Sequence, residues 1–119
     1  MSNNEQRQTI AVVGGDLMAR SRIEAAATAS SVDVQRLSQD ELGALEEAPE
    51  VDLVVLDLDS GGRALIDTWT SLAGESGPRA VGYFSHVDAG LGDHARSNGV
   101  EAIPRGRFWR TLEEILAAL

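Results

Sequence analysis

The sequence contains no cysteine, which excludes disulfides and thiolate metal sites. It contains no lysine either: all ten basic residues are arginine. No apolar run approaches the roughly 20 residues of a membrane-spanning helix. The leader MSNNEQRQ lacks the apolar segment of a signal peptide. Positive charge is scarce throughout. The formal net charge is −9 and the pI is near 4.5, which argues against a nucleic-acid partner, because phosphate binding needs a basic surface. At 119 residues the chain is long enough for one core and too short for two. The expectation is a cytoplasmic protein with no membrane partner, a disordered polar N-terminus over residues 1–8 and a single domain over residues 9–119.

What charge there is falls unevenly. Between Arg36 and Arg63 lie eight acidic residues and no basic one. Such a run reads as a solvated flank, or as an electrostatic docking surface for a basic partner.

The stretch Val51–Asp59, VDLVVLDLD, organises the rest. A continuous apolar run of this length, bounded by polar residues, predicts a strand buried on both faces of a parallel sheet. Ligands and chemistry in such sheets sit at the carboxyl ends of the strands, where Asp57 and Asp59 lie. Before it, TIAVV (Thr9–Val13) predicts a first strand ending at Gly14-Gly15. Asp16 then caps a helix to about Ala29, with Leu17, Ala19, Ile23, Ala26 and Ala27 on its apolar face. VDVQRL (Val32–Leu37) alternates as an edge strand does. Ser38-x-x-Glu41 is a capping box opening a short helix to about Glu47.

After the central strand, Asp59-Ser-Gly-Gly predicts a loop and residues 63–73 a third helix, buried through Leu65, Ile66, Trp69 and Leu72. RAVGYF (Arg79–Phe84) predicts a fourth strand with Gly82 at a point of close packing. Ser85-x-x-Asp88 resembles a second capping box, opening a helix over residues 87–97 that Gly90 and Gly92 weaken. Val100–Ile103 predicts a fifth strand stopped by Pro104. A last helix from about Phe108 packs through Phe108, Leu112, Ile115, Leu116 and Leu119. Strand and helix alternate five times, which predicts a doubly wound α/β fold: a parallel sheet with helices on both faces and right-handed crossovers.

Five such units, with an Asp ending the third strand and a Ser ending the fourth, resemble the receiver domain of bacterial response regulators. The resemblance runs from Thr9 onward and implies strand order 2-1-3-4-5. In that family an acidic pair after the first strand holds Mg²⁺, the Asp of the third strand accepts a phosphoryl group, a Ser or Thr after the fourth bonds it, and a Lys after the fifth neutralises it. By resemblance, Asp57 matches the acceptor and Ser85 the hydroxyl. The acidic pair falls on Gly14-Gly15, with Asp16 just beyond, and Arg105 stands nearest the place of the absent Lys. Phosphoryl transfer to a carboxylate needs cations to offset the gathered negative charge, and Mg²⁺ needs oxygen ligands that two glycines do not supply. Arg105 or Arg107 is expected to pair with Asp57 instead, because the planar guanidinium suits a lasting bidentate pair.

The reading that follows is a stand-alone pseudo-receiver, not an enzyme, with no cofactor or metal. Its vestigial site comprises Asp57, Ser85, Asp16, Asp59 and Arg105. It acts through protein partners, with self-association through the fourth helix, fifth strand and fifth helix among the options. The surface implied carries Arg105, Arg107, Trp109 and Arg110, and Trp109 at the rim of the last helix favours a contact role. Two alternatives stay open: a divergent but active phospho-acceptor using Asp16, Asp57 and Asp59 with Mg²⁺, and a flavodoxin-like module holding a small anion at Gly14-Gly15. His86 at the same edge suits a ligand or pH-sensing role, or simply faces solvent.

Overall fold

In the computed structural model, the described residues are 7–85 and 87–119. Five strands form one parallel sheet: β1 (Thr9–Val13), β2 (Asp33–Leu37), β3 (Leu53–Asp57), β4 (Arg79–Phe84) and β5 (Glu101–Pro104). Their spatial order is β2-β1-β3-β4-β5, as the resemblance implied. The helices are α1 (Leu17–Ala29), α2 (Gln39–Gly43), α3 (Leu58–Ala73), α4 (Ala89–Ser97) and α5 (Arg105–Ala117).

Side-chain alternation along the strands divides the core in two. Ile10, Val12, Leu53, Val55, Val81 and Tyr83 point to one face and are covered by α1 and α5 through Ile23, Ala27, Phe108 and Leu112. Ala11, Val13, Val54, Leu56, Ala80 and Phe84 point to the other, covered by α2, α3 and α4 through Leu42, Leu65, Trp69 and Leu91. All five residues of β3 are buried, as its unbroken apolar run requires. β2 is an edge strand, as its alternation predicted, and has no buried residue.

Several boundaries differ from the sequence-based expectation, each for a local reason. Leu17 does not join the apolar face of α1; it is 70% exposed beside Met18, while Ala19, Ile23 and Ala27 are buried. α2 keeps its capping box but ends at Gly43 instead of near Glu47. α4 is capped by Asp88, whose carboxylate accepts from the Leu91 N–H, so Ser85 does not open it. α5 starts at Arg105, directly after Pro104, three residues before Phe108.

The largest difference lies at α3. The expected Asp59–Gly62 loop begins instead with a helical turn from Leu58, interrupted only where Gly62 leaves helical geometry. Gly82 is a point of close packing, as expected: a Cβ there would lie 2.5 Å from Leu58 Cδ1, so β4 and the first turn of α3 meet because position 82 has no side chain. At the N-terminus, Arg7 pairs with Asp33 at 2.7 Å and the Gln8 carbonyl accepts from the Asp33 N–H. The rest of the predicted disordered leader, residues 1–6, falls outside the described residues. No helix among the described residues is long and apolar enough to cross a membrane.

Candidate functional site

The parallel sheet brings the carboxyl ends of β1, β3, β4 and β5 to one edge. There the chain places Gly14-Gly15, Asp57, Ser85 and Arg105. Asp57 is the one buried charged residue among those described, 6% exposed. It is not a bare acid at a strand end. Its carboxylate caps α3, with Oδ1 accepting from the Asp59 N–H at 3.0 Å and the Ser60 N–H at 3.2 Å. These are the otherwise unpaired amides of the first helical turn, and an Asp cap satisfies them.

The cation expected on Asp57 goes elsewhere. Arg105 Nη1 donates to Asp59 Oδ2 at 2.9 Å, while the Ser85 backbone N–H donates to Asp59 Oδ1 at 2.6 Å. One carboxylate therefore bridges the start of α3, the end of β4 and the start of α5. The bond that Arg105 donates to Asp59 is the main cause that raises the Arg105 pKa above its ordinary value, so this cation stays charged at any working pH. The two acids, two residues apart in sequence, hold separate partners.

Tyr83 is the residue that sequence reasoning overlooked. It stands opposite Asp57 in the register of β3 and β4, fully buried, under Arg105 at 5.3 Å from ring centroid to guanidinium carbon. Its ring packs against Phe108 and Trp109, with centroids 5.0 and 5.5 Å away. The phenol oxygen has no hydrogen-bond partner at bonding geometry. Burial first, then the nearby Asp57 carboxylate, pushes its pKa above the ordinary value; Asp57 acts on it chiefly through charge, and the phenol keeps its proton at neutral pH. The signal available beforehand was parity: in RAVGYF, Tyr83 shares a face with Val81 and, through the sheet register, sits beside Asp57.

The Gly14-Gly15 turn closes over this edge. Both glycines have left-handed backbone, φ 75° and 93°. A Cβ on Gly15 would stand 3.2 Å from the Tyr83 oxygen, and one on Gly14 would stand 3.7 Å from Asp57 Cβ. Asp16 caps α1 through Oδ1, which accepts from the Ala19 N–H at 2.8 Å. Beside the turn is a cavity of about 230 Å³ lined by Gly14, Gly15, Arg20, Arg36, Ser38 and Glu41, and the Nε of Arg20 is buried without a partner. Among the described residues, no group of three or more His, Cys, Asp or Glu side chains is placed to hold a metal ion.

Of the four residues expected on the contact surface, Arg107 and Arg110 are exposed. Arg105 is engaged with Asp59. Trp109 is half-buried, with the Arg22 guanidinium 4.3 Å from its ring, so it turns toward α1 rather than away from the core. His86 falls outside the described residues. The other histidine, His94, joins α4 to α3 through Asp67 at 2.8 Å.

No family model matches the sequence, and no curated protein matches it. Solved structures do. A response regulator from Thermotoga maritima superposes with a TM-score of 0.75 at 16% identity, over 95% of this chain and 99% of that one. The phosphorylated cyanobacterial phytochrome response regulator RcpA gives 0.72 at 17% identity, over 94% and 90% of the two chains. The pilus assembly protein CpaE from Caulobacter crescentus gives 0.66 at 20% identity, over 94% and 92%. With its strand order and its five α/β units, this chain has the receiver fold.

Proposed function

We propose that this receiver-fold domain works without phosphorylation, as a fixed-state signalling module read by protein partners. The observation that carries the reading is the Asp59 carboxylate, held between the Ser85 N–H and Arg105. By resemblance, those two positions are where a receiver collects the oxygens of a phosphoryl group. Here a built-in anion already occupies them. In this reading the vestigial site comprises Asp57, Ser85, Asp16, Asp59 and Arg105, with Asp59 at its centre.

The donor set present does not fit the Mg²⁺ of a working receiver. Mg²⁺ takes near-octahedral oxygen ligands, including carboxylates. Gly14 and Gly15 bring no side-chain oxygen, Asp16 spends one oxygen on its cap, and Asp59 is tied to Arg105. Asp57 itself fastens the first turn of α3. Receiver domains are in general signalling modules without enzymatic activity, and a neighbour of this fold is named for pilus assembly rather than for response regulation, which is in keeping with a role in contacts. The site favours one second reading, capture of a small anion beside Gly15, because Arg20 presents an unpaired buried nitrogen there.

A thermal-melt series separates these readings. A ligand bound only by the native state at about 100 times its Kd adds about 2.7 kcal/mol of stability. Mg²⁺, and Mg²⁺ with beryllium fluoride, are expected to leave both wild type and Asp57→Asn unmoved. A rise in wild type that Asp57→Asn abolishes identifies an active acceptor and overturns the proposal. A rise with inorganic phosphate alone, lost in Arg20→Ala, selects the anion reading.

A further inference from the structure

The α1/α5 face differs from the rest of the surface in charge. The acidic run from Asp40 to Asp52, with Asp67, Glu75 and Asp93, belongs to the other face or its loops, where Arg63 and Arg96 are the helical arginines. On α1 and α5 the exposed charges nearly balance: Arg22, Arg107 and Arg110 against Glu113 and Glu114. Glu24 is already paired with Arg36 at 2.6 Å. Two copies of a chain of net charge −9 repel each other over most orientations, and a balanced face is where that repulsion is least.

This face is also shaped to receive something. An open groove of about 500 Å³ runs between α1 and α5, lined by Arg22, Ala25, Trp109, Arg110, Leu112 and Glu113. Met18, Arg22, Ala25 and Ala29 follow one another at helical spacing along the exposed side of α1. Met18 is 74% exposed at the head of that line, and the alanines leave room for another helix to approach closely. On α5 the arginines come first and the glutamates after. Such a helix is complementary to itself when reversed, which is the requirement of a two-fold interface: if residue i meets j, then j meets i.

We propose that the α1/α5 face pairs with a second copy of this chain, with the two α5 helices antiparallel, so that Arg110 of each protomer meets Glu113 of the other. Arg22, resting on Trp109, lies within the covered groove. This surface is distinct from the one formed by α4, β5 and α5, and the proposal does not depend on whether Asp57 accepts a phosphoryl group.

Sedimentation equilibrium over a concentration series, in about 0.15 M salt to screen the net repulsion between copies, tests it. Wild type is expected to dimerise. Arg110→Glu and Glu113→Arg each turn two symmetry-related attractions into repulsions, so each is expected to raise the dimer Kd about tenfold. The double variant, Arg110→Glu with Glu113→Arg, restores the pairing with its charges exchanged and is expected to return to within about threefold of wild type. Circular dichroism melts of the four proteins confirm that each is folded. A wild type that is monomeric at every concentration overturns the proposal. So does a dimer indifferent to the single reversals, or one that the double exchange fails to rescue.

Discussion

The two helical layers cover the same sheet by different means. The α1/α5 layer closes over aromatic rings, Tyr83, Phe108 and Trp109, packed as a contiguous group. The α2/α3/α4 layer is largely aliphatic, with Trp69 and Phe84 among leucines and alanines. Charge divides along the same line, with paired signs outside the aromatic layer and mostly carboxylates outside the aliphatic one. Core packing is insensitive to this division, because each layer buries an apolar cluster against its face of the sheet. What a second molecule meets on approach is not, and the faces of a small domain can thus be differentiated at little cost to its core.

The contrast is open to attack at several strengths. Phe108→Ala removes the centre of the aromatic layer, a fully buried ring, and is expected to cost about 3–5 kcal/mol. A urea titration that finds under about 1 kcal/mol contradicts the packing described. Gly82→Ala strikes the other layer by overpacking, with the new Cβ against Leu58, and about 1–3 kcal/mol is expected. Combined with Leu58→Ala, its effect falls well short of additivity; simple addition of the two losses shows that they do not touch.

At the sheet edge the effects are smaller. Asp57→Ala removes the α3 cap and is expected to destabilise by about 1 kcal/mol, while Asp57→Asn, also a good cap, changes little. Equal losses in the two variants mean that charge, not capping, is what Asp57 contributes. Asp59→Ala frees Arg105 and the Ser85 N–H. Inorganic phosphate at a few times its Kd is then expected to stabilise the variant by about 1 kcal/mol and to leave wild type unchanged; the same response in both proteins removes Asp59 from the role of resident anion.

The smallest effect is in pH. Arg79, bonded to Glu101 at 2.6 Å, holds that carboxyl below its usual range. A lowered folded-state pKa gives stability that is complete above the ordinary carboxylate value and disappears as pH falls through the lowered one. Both side chains are nearly half exposed, so the contribution is expected to stay below about 0.5 kcal/mol. The melting difference between wild type and Glu101→Gln should shrink from about pH 7 to about pH 3, and a difference that grows on acidification means that the folded state does not lower the Glu101 pKa.

The strands were legible because their signals are local. TIAVV, LVVLD and RAVGYF declare burial and β-preference within their own residues, and the alternation of DVQRL declares an edge. The start of α3 was not, because Asp-Ser-Gly-Gly has the composition of a loop, whereas it forms a first helical turn capped by the Asp57 carboxylate. The start of α5 was hidden by Pro104, which reads as the stop of the fifth strand, although Pro leads naturally into a helix. Leu17 misled because an apolar residue at helical spacing reads as core, whereas the buried face of α1 begins only at Ala19 and leaves Leu17 and Met18 in solvent. The site was half visible. Strand ends pointed to Asp57, Ser85 and Arg105, but Arg105 and Asp59 lie 46 residues apart, and nothing in the order of residues says which of two neighbouring carboxylates an arginine will choose.

The turn after β1 also sets how this chain is able to change over generations. Carboxylates at positions 14 and 15 would have to adopt left-handed backbone, at roughly 1–2 kcal/mol each for ordinary L-residues, and the one at 15 would press on the Tyr83 oxygen. Each such step, taken alone, lowers stability before it offers a ligand. A path to an acidic pair therefore runs through a rebuilt turn and a smaller residue at 83, several coordinated changes rather than two. The glycines act as a ratchet, and the present state of this sheet edge is easier to keep than to leave.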